Sequence, residues 1–418
     1  MFENHPCFHS ETRHRTARIH LPVAPKCNVQ CNFCSRKYDC VNESRPGVTS
    51  IVLPPAQALT YLESAMEKIP DITVAGIAGP GDPLATPDET FQTLRLVRKR
   101  FPELILCLAS NGMAISGFID EIAGLNISHV TITLNAVDPQ IGAKIYAWVR
   151  HGVRSFRGTE GAEILFRQQS EAVKLLKQKN ITVKVNTIII PGVNDHHIEA
   201  VARFCSENGV DVQNCIPLIP VPDTPFAGLP VLPPETVAAL RKKAEQHVPQ
   251  MSHCARCRAD AAGLLGKENT AEIESLLRQA AVIKTTPNRP CIAAASMEGL
   301  FVNRHLGESP SLFVFKKEGE TIVLNDERQT PPQGLGDRRW ELLAETFRDC
   351  TAVLVSGCGK NPKQILEKSG LHVITMECLI AEALPFIFNG RELPKILLRE
   401  SGRCGRGAGC TGTGGGCG

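Results

Sequence analysis

Three cysteines in one short segment constrain the fold and the chemistry of this chain more than any other feature. Cys27, Cys31 and Cys34 have the spacing Cys-x3-Cys-x2-Cys. Three thiolates at this spacing can bind one cubane iron–sulfur cluster, which normally takes four cysteine ligands. One iron would then stay open to bind another molecule. A structural zinc site is the alternative, although zinc usually completes four ligands from paired Cys-x2-Cys units.

The pattern resembles that of the radical S-adenosylmethionine (SAM) enzymes, including an aromatic residue, Phe33, just before the third cysteine. The resemblance implies that Cys27, Cys31 and Cys34 hold a [4Fe–4S] cluster. It also implies that the open iron chelates the amino and carboxylate groups of SAM.

Length and composition limit the remaining possibilities. The chain has 418 residues, 43% of them hydrophobic, which suits about two or three domains. The formal net charge is only +3 and no long basic run occurs, which argues against a nucleic-acid partner. We find no signal segment and no apolar run of the ~20 residues that cross a bilayer, so we expect a cytoplasmic protein without a membrane partner. The odd count of 17 cysteines favours metal binding over a disulfide framework.

Strand and helix patterns alternate from Arg18 to Ile219 and predict six βα units. Repeated βα units imply a parallel sheet, so we predict an α/β fold with a partial or full (β/α) barrel of the TIM type. Such barrels carry the active site at the carboxyl ends of the strands. The cysteine loop follows the first predicted strand and therefore lies at that end.

Several predicted strands carry polar residues at alternate positions. Thr131, Thr133 and Asn135 share one face of a strand, and Lys184 and Asn186 share a face of another. An ordinary barrel interior is packed with branched apolar side chains. We therefore expect a polar lumen that holds a polar ligand, unless these faces look outward to solvent.

The pattern changes after the barrel. We predict a barrel domain at residues 1–283, a linker at 284–288 and a smaller mixed α/β domain at 289–398. The last segment, 399–418, is rich in Gly and Cys, and we predict that it is disordered.

Six side chains outside the triad are candidates for metal binding. They are His20 and five cysteines: Cys7, Cys40, Cys107, Cys254 and Cys257. Cys254 and Cys257 form a Cys-x2-Cys unit, a spacing typical of iron–sulfur or zinc ligands. For other cysteines we expect burial as small hydrophobic side chains. These are Cys205, Cys215, Cys291, Cys350 and Cys378.

Longer motifs give a more specific resemblance. They are HPCF at 5–8, ARIHLPVAPKCNVQCNFC at 17–34, NESRPGV at 42–48, AGPGDPLA at 78–85 and HCARCRADAAG at 253–263. Together they resemble the NifB family of nitrogenase cofactor maturases. The part from about residue 288 to about residue 398 resembles the NifX and NafY carriers of cofactor precursors, whose domain has a ribonuclease-H-like fold.

The resemblance implies an enzyme that fuses two [4Fe–4S] clusters and inserts a SAM-derived carbide and an extra sulfur. The product would be the eight-iron precursor of the iron–molybdenum cofactor. The implied ligands fall into two sets, His20, Cys40 and Cys107 for one substrate cluster and Cys7, Cys254 and Cys257 for the other. With the triad cluster, the protein would hold three [4Fe–4S] clusters. Incomplete ligation suits substrate clusters because they must fuse and leave.

The resemblance also suggests contacts to SAM at the ends of the strands. The candidates are Gly79, Gly81 and Asp82 for the amino group, Asn111, Thr133 and Asn135 for the methionine or ribose part, and Val185 and Asn186 for the adenosine. Glu43 could accept a proton during carbide formation, with Arg45 beside it. A surface ion pair is the alternative for both. In the second domain His305 resembles a cofactor-contacting histidine of the carriers, the alternative being a surface loop histidine.

Two other functions stay open. One is a radical SAM enzyme that modifies a peptide and uses Cys254 and Cys257 for electron relay. The other is a non-enzymatic iron–sulfur scaffold or carrier. The expected partners of a maturase are an iron–sulfur cluster donor or scaffold protein, an electron donor such as a ferredoxin or flavodoxin, and downstream cofactor carriers.

Overall fold

The computed structural model describes residues 5–8, 11–12, 14–44, 47, 49, 51–266 and 271–399. Arg45 and residues 400–418 of the predicted disordered segment 399–418 lie outside the described residues. The chain divides into two compact units between Ala280 and Ala281. In the part of the chain that the structure describes, no helix is both long and apolar enough to span a membrane.

An open, mainly parallel sheet forms the centre of the first unit. Six neighbouring strands are parallel, and a short seventh strand pairs antiparallel with the first of them. In spatial order the strands are β10 (Ala262–Gly263), β1 (Ala17–His20), β3 (Ile72–Ile77), β4 (Ile105–Ser110), β5 (Ile127–Thr133), β8 (Thr182–Ile189) and β9 (Val212–Pro217). The predicted α/β partial barrel is thus confirmed.

Helices follow the strands of this sheet. Within the described residues they are α1 (Pro55–Lys68), α2 (Pro87–Arg100), α3 (Ile119–Gly124), α4 (Pro139–Ile145), α5 (Gly158–Gln178), α6 (Ile198–Glu207), α7 (Pro234–Glu245) and α8 (Ala271–Ala281). Several begin with proline, whose fixed φ suits the first helical position. Along α5, residues such as Leu165, Ala172 and Leu176 recur at helical spacing and are buried, so this helix covers the sheet with one apolar face.

A second, three-stranded sheet was absent from the sequence prediction. It consists of β2 (Val29–Cys31), β6 (Tyr146–His151) and β7 (Arg154–Phe156), all antiparallel. The strands are short, and β2 lies within the cysteine loop, so no periodic pattern marks it. The hairpin of β6 and β7 therefore packs against the loop that carries the triad.

The second unit is built on a mixed five-stranded sheet. In spatial order its strands are β13 (Thr321–Gln329), β12 (Ser311–Glu318), β11 (Cys291–Ala294), β14 (Cys350–Val355) and β15 (His372–Thr375), with helices α9 (Asp337–Thr346), α10 (Lys360–Lys368) and α11 (Ile380–Phe388). Apolar side chains are buried on both faces of this sheet. The five cysteines expected to pack as small hydrophobic side chains are all buried across the two units, which confirms that expectation.

Candidate functional site

The loop that carries the triad begins directly after β1 and is held by backbone hydrogen bonds. Arg150 N–H donates to the Asn28 carbonyl oxygen (2.8 Å), and Asn32 N–H donates to the Ile145 carbonyl oxygen (2.8 Å). These bonds continue the pairing of β2 with β6. The cysteine loop is therefore an edge of a sheet, which limits how far its three thiols can move apart.

The three cysteines of the triad line one pocket. Cys31 is buried, and Cys27 and Cys34 are half-buried. Cys34 N–H donates to the Cys31 carbonyl oxygen (3.1 Å). Gln30 Nε2 donates to the carbonyl oxygens of Cys31 (3.1 Å) and Cys34 (2.7 Å). These bonds fix the turn that places the second and third cysteines on the same pocket.

The electrostatics of this pocket suit a bound iron–sulfur cluster. Burial raises the pKa of Cys27 to about 12, and burial together with the neighbouring thiols raises the pKa of Cys31 far above its ordinary value. Free thiolates are therefore disfavoured here, whereas iron bound to the sulfurs deprotonates them. The three cysteines around this pocket thus fit the cluster that the spacing predicts. Over the described ranges, no three His, Cys, Asp or Glu side chains are placed to hold a metal ion.

Asp82 is fully engaged with protein groups. Its carboxylate accepts hydrogen bonds from Leu84 N–H (2.9 Å), the Ser110 hydroxyl (3.0 Å) and Asn111 N–H (2.6 Å). This holds Asn111 with its Nδ2 atom 3.6 Å from the Cys27 sulfur. Asp82 and Asn111 both line the triad pocket, and the predicted contact of Asp82 with the SAM amino group stays a prediction.

The two glycines of the AGPGDPLA motif, Gly79 and Gly81, allow this segment to pack on the cysteine loop. The Gly79–Pro80 peptide bond is cis. Ala24 N–H donates to the Gly79 carbonyl oxygen (3.3 Å), and Gly81 N–H donates back to the Ala24 carbonyl oxygen (2.6 Å). A side chain at Gly81 would overlap the Lys26 carbonyl group. Glycine is therefore required where the motif crosses the loop, and Gly81 also lines the triad pocket.

Glu43 lies in the lumen between two of the predicted polar strands. The Thr133 hydroxyl donates to its Oε1 (2.6 Å), and Asn186 Nδ2 donates to its Oε2 (3.0 Å). Burial raises the pKa of Glu43 to about 7, against the opposing effect of these bonds and of the charge on Lys184. A carboxyl group with a pKa near neutrality can accept and return a proton. The predicted polar interior is thus present, and it contains a group suited to proton transfer.

Asn135 and Val185 are both buried, but they differ in orientation. Asn135 Oδ1 accepts from Ile188 N–H (2.8 Å), and its Nδ2 donates to Asn42 Oδ1 (3.2 Å). Val185 is buried on the face of β8 opposite Asn186, because side chains alternate along a strand. Asn135 therefore borders the lumen, whereas the Val185 side chain points away from it. Only the Val185 backbone remains available for the predicted adenosine contact.

One side-chain amide connects the triad with a predicted ligand of a substrate cluster. Asn42 Nδ2 lies 3.7 Å from the Cys31 sulfur and 3.6 Å from the Cys40 sulfur. Cys40 N–H donates to the Pro80 carbonyl oxygen (3.1 Å), which anchors it beside the cysteine loop. The Cys31 and Cys40 thiols are thus separated by a single amide group.

The side chains of His20 and Cys107 both lie next to Gly76 of β3. A side chain at Gly76 of β3 would overlap the Cys107 sulfur and would begin 3.7 Å from His20 Cδ2. The glycine therefore lets these two side chains approach each other. His20 Nδ1 lies 3.1 Å from the Arg258 carbonyl oxygen. Because a carbonyl oxygen only accepts, Nδ1 carries the proton, so in a neutral ring the lone pair that binds iron would be on Nε2.

Two segments from opposite parts of the first unit, around Pro6 and around His253, lie next to each other. His253 Nε2 lies 3.1 Å from the Pro6 carbonyl oxygen, and β10 returns the same segment to β1. Cys7 follows Pro6, and Cys254 follows His253; both cysteines are half-buried. The structure therefore brings together two predicted ligands that are distant in the sequence.

Arg18 links the last predicted ligand to β1. Its guanidinium donates hydrogen bonds to the Cys257 sulfur and to the Gly263 carbonyl oxygen (2.6 Å). Burial and, after it, the charge of Cys7 raise the pKa of Cys107, to about 12. Cys7 of one predicted ligand set and Cys107 of the other therefore lie close enough to interact electrostatically.

His305 is the predicted site residue of the second unit. Its Nδ1 accepts a hydrogen bond from Gly307 N–H (3.1 Å), and its backbone forms a bridge with Gly357. The half-buried Cys358 follows Gly357 directly. A histidine and a cysteine thus lie on adjoining segments, and His305 contact with a cofactor stays a prediction.

Sequence reasoning missed Asn42, Arg18 and Cys358. Asn42 lies in an irregular loop, and only its place two residues after Cys40 could have drawn attention to it. A charged residue inside a short apolar strand was the available signal for Arg18. For Cys358 the signal was the glycine on either side of it, immediately before a helix.

A parallel partial barrel with a three-cysteine pocket beside its first strand defines a radical SAM enzyme. Residues 21–205 match the model of the radical SAM superfamily, and residues 288–390 match the model described as dinitrogenase iron-molybdenum cofactor. The chain is 48% identical to the FeMo cofactor biosynthesis protein NifB of Chlorobaculum tepidum over 99% of both chains. It is 38% identical to the protein of the same name from Klebsiella pneumoniae, over 88% of this chain and 86% of that one. This chain belongs to the NifB family.

Membership of the radical SAM class implies a [4Fe–4S] cluster and SAM. The three thiols of the triad fit that cluster, as the chemistry of the donor set shows.

Proposed function

We propose that this chain fuses two [4Fe–4S] clusters and inserts a SAM-derived carbide and an extra sulfur, giving the eight-iron precursor of the FeMo cofactor. The names of its relatives support the biosynthetic role. The observation that carries the chemistry is the position of Asn42. Its Nδ2 atom lies within 3.7 Å of the Cys31 sulfur in the triad and 3.6 Å of the Cys40 sulfur in a substrate set. SAM chemistry and a substrate cluster would then take place side by side.

The triad holds the resident cluster in this proposal. When bound, that cluster supplies the electron that cleaves SAM. The backbone bonds of β2 and the Gln30 amide keep the cysteines oriented. Asp82 holds Asn111 at the pocket wall, and Thr133 lines the same wall. These side chains would position SAM between the triad and the lumen.

The two substrate clusters occupy the lumen, one on each ligand set. Each set offers three ligands, so one iron of each cluster stays open toward its partner. His20 is a neutral ligand, and an imidazole bond to iron is released more easily than a thiolate bond. Both features suit clusters that must join and then leave the protein.

Glu43 is the proton acceptor of this proposal. A methyl carbon must lose its hydrogens before it becomes a carbide, and a base in the lumen can take up a proton. The hydrogen bonds from Thr133 and Asn186 fix the Glu43 carboxylate, and its pKa of about 7 suits uptake and release near neutral pH. Arg45, two residues further along the chain, remains a candidate partner of Glu43.

An acidic electron carrier such as a ferredoxin or flavodoxin is the proposed reductant. A surface pocket next to the triad is lined by Lys26, Arg36, Arg150 and His151, and none of its lining residues is acidic among those described. Cys27 also lines this pocket. A carrier bound there would be separated from the triad cluster only by the cysteine loop, and its negative charge would complement the basic side chains.

The second unit is proposed to shelter the product and to pass it to downstream carriers. The match of residues 288–390 to a cofactor-related family supports this role. His305 and the adjoining Cys358 are the side chains proposed to contact the product. An iron–sulfur donor or scaffold protein would supply the clusters that the first unit consumes.

The proposal is tested by anaerobic reconstitution of the full chain with iron and sulfide, followed by SAM and a reductant. The products to measure are 5′-deoxyadenosine and a precursor that activates cofactor-deficient nitrogenase. Cys34→Ala should yield neither, whereas Cys205→Ala, at a buried cysteine of α6, should yield both. Continued SAM cleavage by Cys34→Ala would contradict the assignment. A peptide-modifying enzyme would cleave SAM without making precursor, and a scaffold would not cleave SAM.

A further inference from the structure

Lys184 is a buried lysine inside the barrel. It lies on β8, on the same face as Asn186, whose side chain reaches Glu43 in the lumen. Across the sheet it pairs with Thr131 of β5 and Val212 of β9. The residue is 8% exposed. Lysine is almost never buried to this degree unless an anion pairs with it.

The described protein groups around the Lys184 ammonium do not pair with its charge. Nζ lies 5.1 Å from the centroid of the Phe8 ring, which is a weak cation–π contact. Throughout the described residues, Lys184 forms neither a hydrogen bond nor an ion pair. An ammonium group has three N–H donors, and none of them donates to an acceptor among the described residues, so all three can bind a ligand in the lumen. The geometry therefore calls for an anionic ligand.

Arg18, a second buried cation of this unit, provides the contrast. Its guanidinium donates to the Gly263 carbonyl oxygen (2.6 Å) and to the Cys257 sulfur. Arg18 thus stabilises protein atoms and helps to hold the segment of β10 against β1. Within the described ranges, Lys184 donates no comparable hydrogen bond that would account for its charge.

The Lys184 ammonium lies among the proposed cluster ligands. Its charge acts on Cys107 and on Glu43. Phe8, the ring next to the ammonium, follows Cys7 directly, and Cys7 interacts electrostatically with Cys107. Lys184 therefore lies where both proposed substrate clusters border the lumen.

We propose that Lys184 is an anion-binding residue whose ammonium donates hydrogen bonds to sulfide of the substrate clusters, where the ligand set of Cys7 adjoins that of Cys107. This inference rests on the proposed function. Sulfide corners of a cluster carry negative charge, and charge-assisted hydrogen bonds to them are strong in a buried site. A free hydrosulfide ion, the simplest form of the extra sulfur, has the same chemistry and would bind the same ammonium.

The first arm of the test measures cluster reduction potentials in the reconstituted full chain. Lys184→Met is compared with Lys184→Arg and with Lys174→Met, a matched change at an exposed lysine of α5. The triad cluster, which alone responds to SAM, is the internal reference. Removing a cation that donates to cluster sulfide destabilises the reduced, more negative cluster. We expect Lys184→Met to lower a substrate-cluster potential, and both other variants to leave it near the wild-type value.

The second arm measures precursor yield against added sulfide, with the clusters loaded beforehand. If the ligand is free hydrosulfide, Lys184→Met should leave the potentials unchanged and raise the half-saturating sulfide concentration about tenfold. If Lys184→Met is insoluble, Lys184→Gln removes the charge and keeps a polar chain. Unchanged potentials together with unchanged sulfide dependence would overturn the inference. A wild-type protein that holds no iron beyond the triad cluster would instead refute the proposed function.

Discussion

Replacing Glu43 with glutamine should make the stability of the cluster-free protein less dependent on pH. Burial raises the pKa of Glu43 from its ordinary 4.5 to about 7. The folded protein therefore binds this proton more tightly than the unfolded chain does. The contribution of Glu43 to stability is complete below about pH 4.5 and declines as the pH rises to about 7.

The magnitude follows from the same pKa. A rise from 4.5 to about 7 corresponds to about 3 kcal/mol, since each pH unit is worth about 1.4 kcal/mol. Glutamine carries no charge at any of these pH values. Its carbonyl oxygen can accept from Asn186, and the Thr133 hydroxyl can rotate to accept from its amide group. The variant should therefore keep both contacts and avoid the unfavourable burial of a carboxylate.

The assay is denaturant unfolding of the cluster-free wild type and Glu43→Gln between pH 5 and pH 8. Between pH 5 and pH 8 the variant should gain about 2.5 kcal/mol of stability relative to the wild type, because part of the effect is already lost at pH 5. Glu163→Gln, which changes an exposed carboxylate on α5, controls for the loss of one negative charge. If the unfolding free energies of Glu43→Gln and the wild type differ by the same amount at pH 5 and at pH 8, the raised pKa of Glu43 is refuted.

Three further outcomes are expected. Arg150→Glu should weaken binding of an acidic ferredoxin and slow the reduction of the triad cluster by that ferredoxin, whereas reduction by dithionite should be unchanged. Lys242→Glu, a control at an exposed lysine, should bind and accept electrons from ferredoxin like the wild type. Equal effects of the two variants would contradict the basic docking pocket. A chain that ends at Ile283 should still load clusters, cleave SAM and form precursor, and precursor assays that find none would place part of the chemistry in the second unit. His305→Ala should release precursor faster than wild type in gel filtration, because one ligand supplies only part of the binding, and unchanged retention would remove His305 from the product site.

Much of the first unit could be predicted because the sequence signals for its strands, helices and cysteine triad each lie within a short segment. Period-two and period-3.6 patterns mark the alternating strands and helices, and the polar residues Thr133 and Asn186 mark the lumen face. The triad was recognisable because its three ligands lie within one loop. These are properties that a short stretch of sequence carries by itself.

The rest depends on contacts between distant parts of the chain. The pairing of β2 with β6 places Asn32 beside Lys144. Asn32 Nδ2 donates a hydrogen bond to the Lys144 carbonyl oxygen (2.8 Å). Asn42 bridges two cysteines only because the loop folds back on itself, and no periodicity marks such a residue. It likewise takes the folded neighbouring strands and residues 5–8 to show that no described group accepts a hydrogen bond from Lys184.

The central claim is that three cluster sites share one lumen, and iron content tests it most directly. Cys40→Ala and Cys257→Ala should each bind about four iron atoms fewer than the reconstituted wild type, because each removes a ligand of a different cubane cluster. Both should still cleave SAM, since the triad is intact. Cys205→Ala, a buried cysteine away from the lumen, should bind as much iron as the wild type. Undiminished iron in Cys40→Ala and Cys257→Ala would show that these cysteines only pack, and would contradict the account.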